Sequence, residues 1–196
     1  MTLNPARHPV PDNYATDRFR LRRQMFDDNC ADYQAVMQSR QQLRVWSDSD
    51  WPPDNFTPED NLSDLEMHIG EHERDEAYGF SVFDAAVDAL IGSLYINPIG
   101  SIIASYQDDE HAASIVQRFD ACADYWLLEG LSGEMQVDFL KTIQTWLKDA
   151  WWFKGIAFGS RRGMALQRQQ YMDVGLREVA VLEVKSGTRQ FFLHAS

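Results

Sequence analysis

The sequence predicts one α/β domain built on a mixed sheet, and three observations carry that prediction. Strand and helix patterns follow one another in the order β-α-α-β-β-β-α-β-α-β-β. Some strand patterns are joined directly, as antiparallel hairpins are, whereas a long helical pattern separates the strands near 124 and 156. A right-handed crossover of that kind makes the pair parallel or nearly so. The chain has 196 residues, of which 44% are hydrophobic. That is enough for one sizeable core and fits one domain better than two.

Residues 1–16 carry Pro5, Pro9 and Pro11 without apolar periodicity and read as an N-terminal extension, leaving 17–196 as the domain. Over 17–23, Phe19 and Leu21 alternate with polar residues, the pattern of a short strand. Asp27, Asp28 or Asn29 can cap a helix running to about Arg40, with Tyr33, Val36 and Met37 on one side. The stretch 46–55 holds Trp51, Pro52, Pro53 and several acids and reads as a loop. Thr57-Pro58-Glu59-Asp60 then announces a helix. Thr57 can cap it, Pro58 suits its first position, and acids favour its first turn. Leu62, Leu65 and Ile69 form its apolar stripe, and Gly70 weakens it locally.

Residues 78–84 and 89–97 read as a hairpin turning at 85–88 and stopped by Pro98. Gly92 marks a bulge or a close backbone approach. The partly acidic stretch 99–115 reads as a loop. A strand over 118–128 is broken by Gly130 and Gly133, and a helix over 132–150 follows, burying Val137, Leu140, Ile143 and Leu147. Residues 156–159 are a short strand, 162–174 a helix, and Gly175 sits where a left-handed C-cap is wanted. Strands over 176–184 and 188–194, joined at Ser186-Gly187, complete the chain.

The formal net charge of −12 argues against nucleic-acid binding, which needs a basic face, and permits a cationic partner. No apolar run approaches the roughly 18–20 residues of a membrane span, and no signal-peptide pattern opens the chain. Cys30 and Cys122 do not make a disulfide framework, so a reducing, cytoplasmic setting is expected. Both thiols read as small apolar side chains more readily than as nucleophiles. Trp146, Trp151 and Trp152 read as core or interface residues. His68-Ile69-Gly70-Glu71-His72 spells an inverted zincin motif, which on a helix puts both histidines on one face. A zinc metallopeptidase is therefore a remote alternative, one without an evident third ligand.

Three stretches carry a more specific pattern. Leu90-Ile91-Gly92-Ser93-Leu94-Tyr95-Ile96 is an apolar strand through an Ile-Gly pair. Tyr125-Trp126-Leu127 leads through a turn at 130–135 into a long helix. Tyr171-Met172-Asp173-Val174-Gly175-Leu176 closes a helix and opens a strand. In this order and separation the chain resembles the GNAT acyltransferase superfamily, firmly from 78 onward and loosely from 17. The resemblance implies a GNAT-like fold and an N-acetyltransferase that uses acetyl-CoA to acylate an amine of a small molecule or peptide by direct attack.

It also implies site residues. Trp126, Leu127 and Leu128 would supply backbone groups to the acyl carbonyl. Gly130, Leu131, Ser132, Gly133, Glu134 and Met135 would cradle the pyrophosphate at a helix N-terminus, where unpaired amides and the helix dipole favour an anion. Tyr171 would protonate the leaving thiolate. The family pattern there is [Arg/Gln]-x-x-Gly-x-[Gly/Ala]; Gly133 matches it, while Gly130 and Met135 depart from it and Glu134 adds a like charge. These departures favour the alternative of a non-catalytic GNAT-like binding protein. Arg161 and Arg162 could compensate from the next helix. For a general base the residues offer Asp120, Asp124 and Glu129, with Asp124 preferred. Asp48, Asp50 and Asp54 could attract a cationic amine, and a homodimer could form through a strand edge or the tryptophan-rich segment.

Overall fold

The computed structural model describes residues 2–106, 109–184 and 189–196; the expected turn at Ser186-Gly187 lies outside them. The strands are β1 (Asn13–Ala15), β2 (Phe19–Arg23), β3 (Tyr78–Asp84), β4 (Ala89–Pro98), β5 (Ala121–Leu127), β6 (Ile156–Arg161), β7 (Arg177–Glu183) and β8 (Gln190–Ala195). The helices are α1 (Asn29–Gln38), α2 (Arg40–Ser47), α3 (Pro58–Glu73), α4 (Ile99–Tyr106), α5 (Asp109–Arg118), α6 (Gly133–Ala150) and α7 (Ala165–Asp173). All strands join one mixed sheet in the order β1-β2-β3-β4-β5-β6-β8-β7.

Local chemistry sets most boundaries. The Thr57 hydroxyl accepts a bond from the Asp60 amide, the Asp60 carboxylate accepts one from the Thr57 amide, and Pro58 begins α3. Ser132 caps α6 by accepting from the Met135 amide. Gly175 has φ +90, so the left-handed end of α7 is free of side-chain strain.

Three differences from the sequence reading have physical causes. Residues 13–15 form an edge strand on β2, and Tyr14 stacks on Trp146 with centroids 5.4 Å apart. A three-residue strand is too short for periodicity to reveal. Within 99–115, helices replace the expected loop. Ile99, Ile103 and Tyr106 turn inward at helical spacing, a signal diluted by Gly100 and the acids that follow. Helix α1 is rotated by a residue from expectation, and its buried side carries Asp32, Ala35 and Val36.

The sheet separates two apolar layers. On one face α6 buries Phe139, Leu140, Ile143, Trp146 and Leu147 against the central strands. On the other, Val36, Leu43 and Phe56 pack with Phe83, Leu90 and Trp126. Trp146 and Trp151 are core residues. Among the described residues no helix is long and apolar enough to cross a membrane.

The parallel pair is short. β5 and β6 are in register only over Ala121–Ile156, Cys122–Ala157 and Ala123–Phe158. Beyond Ala123 the strands part, and β5 continues to Leu127 paired on its other side with β4. The opening between the strands is where the site lies.

Candidate functional site

The parting of β5 from β6 frees a strip of backbone. The Leu128 amide donates to Ile91 O at 2.8 Å, toward β4. By strand alternation the polar groups of Tyr125 and Leu127 point the other way, into the opening. Their carbonyls are met only by side-chain amides: Gln167 donates to Tyr125 O at 3.3 Å and Gln42 to Leu127 O at 3.0 Å. A pocket of about 380 Å³ follows this strip, bordered by Val45, Trp126, Gly130, Gln136, Met164 and Gln170.

Of the turn into α6, Gly130 borders this pocket, as does Gln136 in the helix. The first amide to reach a carbonyl one turn back is that of Gln136, on Ser132 O. The Gly133 and Glu134 amides, at the start of the helix, therefore have no helical partner. Nothing stands within 4 Å of a Cβ built on Gly130 or Gly133, so backbone is open to a ligand there. Glu134 extends to Arg18 at 3.3 Å, which offsets its charge. Gln167 Oε1 is buried without a partner beside the strip. Free amides, open glycines and an unpaired amide oxygen fit a ligand with both phosphate and amide groups. No basic side chain borders this pocket.

A second pocket, of about 350 Å³, is lined by the sequence neighbours of the first, Trp46 beside Val45 and Asp124 beside Tyr125. Its floor is the other face of β4 and β5, with Tyr95, Asn97 and Asp124; its walls come from α1, α2 and α3. Asp124 forms a buried ion pair with Arg161 and accepts from the Trp46 indole at 3.1 Å. Burial pushes the Asp124 carboxyl up, and Arg161 opposes that shift. The Arg161 guanidinium also lies 4.7 Å from the centres of the Trp46 and Phe191 rings.

Unsatisfied polar atoms lie on this face. Asp32 Oδ1 and Arg161 Nε, on residues that line the pocket, are buried without a hydrogen-bond partner, while Gln24, Ser93 and Trp126 surround the Tyr95 hydroxyl. Native interiors pair nearly all such groups, so exceptions mark a place for a polar ligand or ordered water. Asp32 is the acid of the two. It is 6% exposed, and burial, opposed by the Asn61 hydrogen bond, pushes its pKa up to about 6.

The residues expected from sequence are distributed unevenly around these pockets. Asp124 lies on the floor of the second and Trp126, Leu127 and Gly130 border the first, whereas Leu128, Leu131, Ser132, Gly133, Glu134 and Met135 line neither. Tyr171 is fully buried behind the first pocket; its hydroxyl donates to Gly159 O at 2.9 Å, and burial raises it well above 10. Glu129 borders the first pocket. Asp120 instead accepts from the Lys154 amide at 2.7 Å, away from both pockets. Asp48 pairs with Arg189 and Asp54 with Arg44, so these acids are committed outside the acidic pocket. Arg161 is occupied by Asp124, and Arg162 does not line the first pocket.

His68 faces the second pocket, 3.2 Å from Glu71, whereas His72 is buried against Tyr78 and Phe80. Among the described residues no group of three His, Cys, Asp or Glu could hold a metal ion. Sequence reasoning missed Asp32, Gln24 and Gln167. For Asp32 a signal existed: it shares the apolar stripe of α1 with Ala35 and Val36 at helical spacing.

No protein-family model matches the chain, and no curated protein does. Solved structures do. A RimL ribosomal L7/L12 alpha-N-protein acetyltransferase aligns with TM-score 0.65 at 17% identity, over 96% of this chain and 95% of its own. The microcin C7 self-immunity acetyltransferase MccE, in complex with acetyl-CoA and AMP, aligns with TM-score 0.67 at 14% identity, over 95% of this chain and 97% of its own. Mycobacterium smegmatis RimJ, in complex with CoA-disulfide, gives 0.65 at 16% identity, over 95% and 86%. The fold is that of the GNAT acetyltransferases. Within the GNAT fold the parted parallel strands, the β-to-α turn and the Gly175 cap of this chain fall in the order that the three sequence stretches suggested.

Proposed function

We propose that the chain is an N-acetyltransferase that takes an acetyl group from acetyl-CoA and delivers it to an amine. The observation that carries this reading is a pair of unlike pockets that both draw on β5 past its parting from β6. One follows the Tyr125 and Leu127 backbone to Gly130; the other is lined by aromatic rings and acids. The chain also shares its fold with proteins named as acetyltransferases, among them structures holding CoA or acetyl-CoA.

Acetyl-CoA would supply the activated acyl group. Its pyrophosphate suits the Gly130, Leu131, Ser132, Gly133, Glu134 and Met135 turn, and the Tyr125 and Leu127 backbone suits its amide-bearing arm. Within Trp126–Leu128 it is the Leu127 amide that points toward the opening and can polarise a carbonyl, since Leu128 is committed to Ile91. The reaction joins the amine nitrogen to the acetyl carbon and breaks the carbon–sulfur bond. Nitrogen loses one proton and sulfur gains one. Asp124 is proposed to draw the proton from nitrogen, directly or through water. Tyr171 is proposed as the source of the proton for sulfur: its raised pKa keeps it protonated, and Gly159 O is its resting acceptor. The acceptor is an amine small or slender enough for the second pocket, either a small molecule or a peptide end.

Calorimetric titration with acetyl-CoA, followed by CoA-release assays across an amine panel, tests the reading. Saturable binding and amine-dependent release are expected. Tyr171→Phe should lower kcat by about 10- to 100-fold with KM nearly unchanged; an unchanged kcat would leave Tyr171 as a support for the pocket wall. Binding without turnover would favour the non-catalytic alternative. No binding at millimolar acetyl-CoA would overturn the proposal.

A further inference from the structure

The second pocket is lined by a buried carboxylate that forms no ion pair with a cationic side chain among the described residues. Asp32 is fixed from one side only: Asn61 Nδ2 donates to its Oδ2 at 3.0 Å, and Asn61 also donates to Asn29 at 3.0 Å. Oδ1 is buried without a hydrogen-bond partner, on a residue that lines the pocket. The other nearby acids are engaged. Asp28 binds Arg22 and Ser81, and Asp64 accepts from the Trp51 indole at 3.0 Å. Glu71 takes His68 at 3.2 Å. Asp32 differs from half-buried Asp64 in being buried, with its orientation set by Asn61 and one oxygen left over.

A buried carboxylate without a cation is costly, and a positively charged ligand would relieve that cost. The surroundings favour such a ligand. Asp32, Asp64 and Asp124 line the pocket against a single permanent cation, Arg161, which Asp124 already holds. The ring-bearing walls, Trp46, Trp51 and Tyr95, are surfaces on which cations rest favourably.

The anchored group cannot be the nitrogen that reacts. Attack on a thioester needs an uncharged amine, and a carboxylate in a desolvated site holds an amine in its charged form. Binding at Asp32 and attack at the opening between β5 and β6 thus call for two nitrogens on one molecule.

We infer that Asp32 anchors a cationic group of the acceptor, and that the acceptor is a small amine with two basic nitrogens. The inference rests on the acetyltransferase reading for the fate of the second nitrogen, but not for the binding of the first.

The test uses the full chain, with 1,4-diaminobutane and n-butylamine as matched acceptors and a neutral peptide as a third. The wild type should favour the diamine over the monoamine by about 100-fold in kcat/KM, the scale of a desolvated charge contact. Asp32→Asn should collapse that ratio toward unity, mainly through KM of the diamine, with Tm equal to or above that of the wild type. Glu66→Gln, an exposed acid on α3, should leave the ratio in place and so exclude general charge steering.

Calorimetry with 1,4-diaminobutane alone separates the two layers of argument. Binding that Asp32→Asn abolishes, without acetyl transfer to any amine, would keep the anchor and overturn the transferase. Transfer to n-butylamine or the peptide as readily as to the diamine, or a ratio insensitive to Asp32→Asn, would overturn the anchor and keep the transferase.

Discussion

The two pockets both take residues from β5 past its parting from β6 but are built from different material. The first presents main chain of Tyr125 and Leu127 and the open Gly130. The second presents side chains: Asp32, Gln24, Asp124 and Arg161. A backbone surface tolerates substitution, because almost any residue supplies the same amide. On the acetyl-CoA proposal, a 130–135 turn that departs from the family pattern would still serve a phosphate-bearing ligand. A side-chain surface tolerates little, and on the same proposal acceptor specificity would rest there.

Substitutions can break or sharpen this contrast. The largest effect is expected on the side-chain surface. Arg161→Ala leaves Asp124 buried without its cation and should destabilise the fold by about 3–5 kcal/mol in denaturant unfolding; an Asp124→Ala, Arg161→Ala pair should recover part of that loss.

Asp32→Asn should act in the opposite direction. A carboxylate whose folded pKa is raised favours folding while protonated and loses that contribution as pH climbs from the unfolded value of 3.8 to about 6. At pH 7 the substitution should therefore stabilise the protein, by at most about 3 kcal/mol from the linkage relation. Below pH about 4 the gain should vanish, and thermal melts at both pH values check the sign. A loss of stability at pH 7 would mean that Asp32 holds the fold together.

Tyr171→Phe removes one buried bond to Gly159 O and should cost about 1–2 kcal/mol in unfolding. The smallest effect belongs to the backbone surface. Ser132→Ala removes the α6 cap, with an expected cost of about 1 kcal/mol. Because the amides themselves remain, acetyl-CoA affinity should fall only a few-fold by calorimetry. A loss of 100-fold or more there would show that the turn works through its side chains and would erase the contrast.

Legibility divides along the same line. The turn, Gly133 and the Ser132 cap could be read because they are contiguous, and strand-turn-helix patterns are local. Asp124 could be read as an acid on a strand, but its pairing with Arg161 and Trp46 could not. Asp32 left a trace as a carboxylate on an apolar helical stripe, yet its free oxygen depends on Asn61, far along the chain. The acids chosen for cation binding, Asp48 and Asp54, were plausible by density alone; their pairing with Arg189 and Arg44 is a matter of distance in space.

The sequence by itself determined the order of β2 through β8 with α1, α3, α6 and α7, though not β1, α2, α4 or α5, and with it the parallel crossover through α6, the cap of α3 and the left-handed end at Gly175. Each follows from periodicity and local hydrogen bonding within a few residues. Tertiary structure alone decided where β5 leaves β6, which acids face a pocket and which are neutralised. It also decided that the Tyr171 hydroxyl rests on Gly159 rather than in the opening. Those outcomes depend on burial and on partners separated by up to the length of the domain, and no local pattern records them.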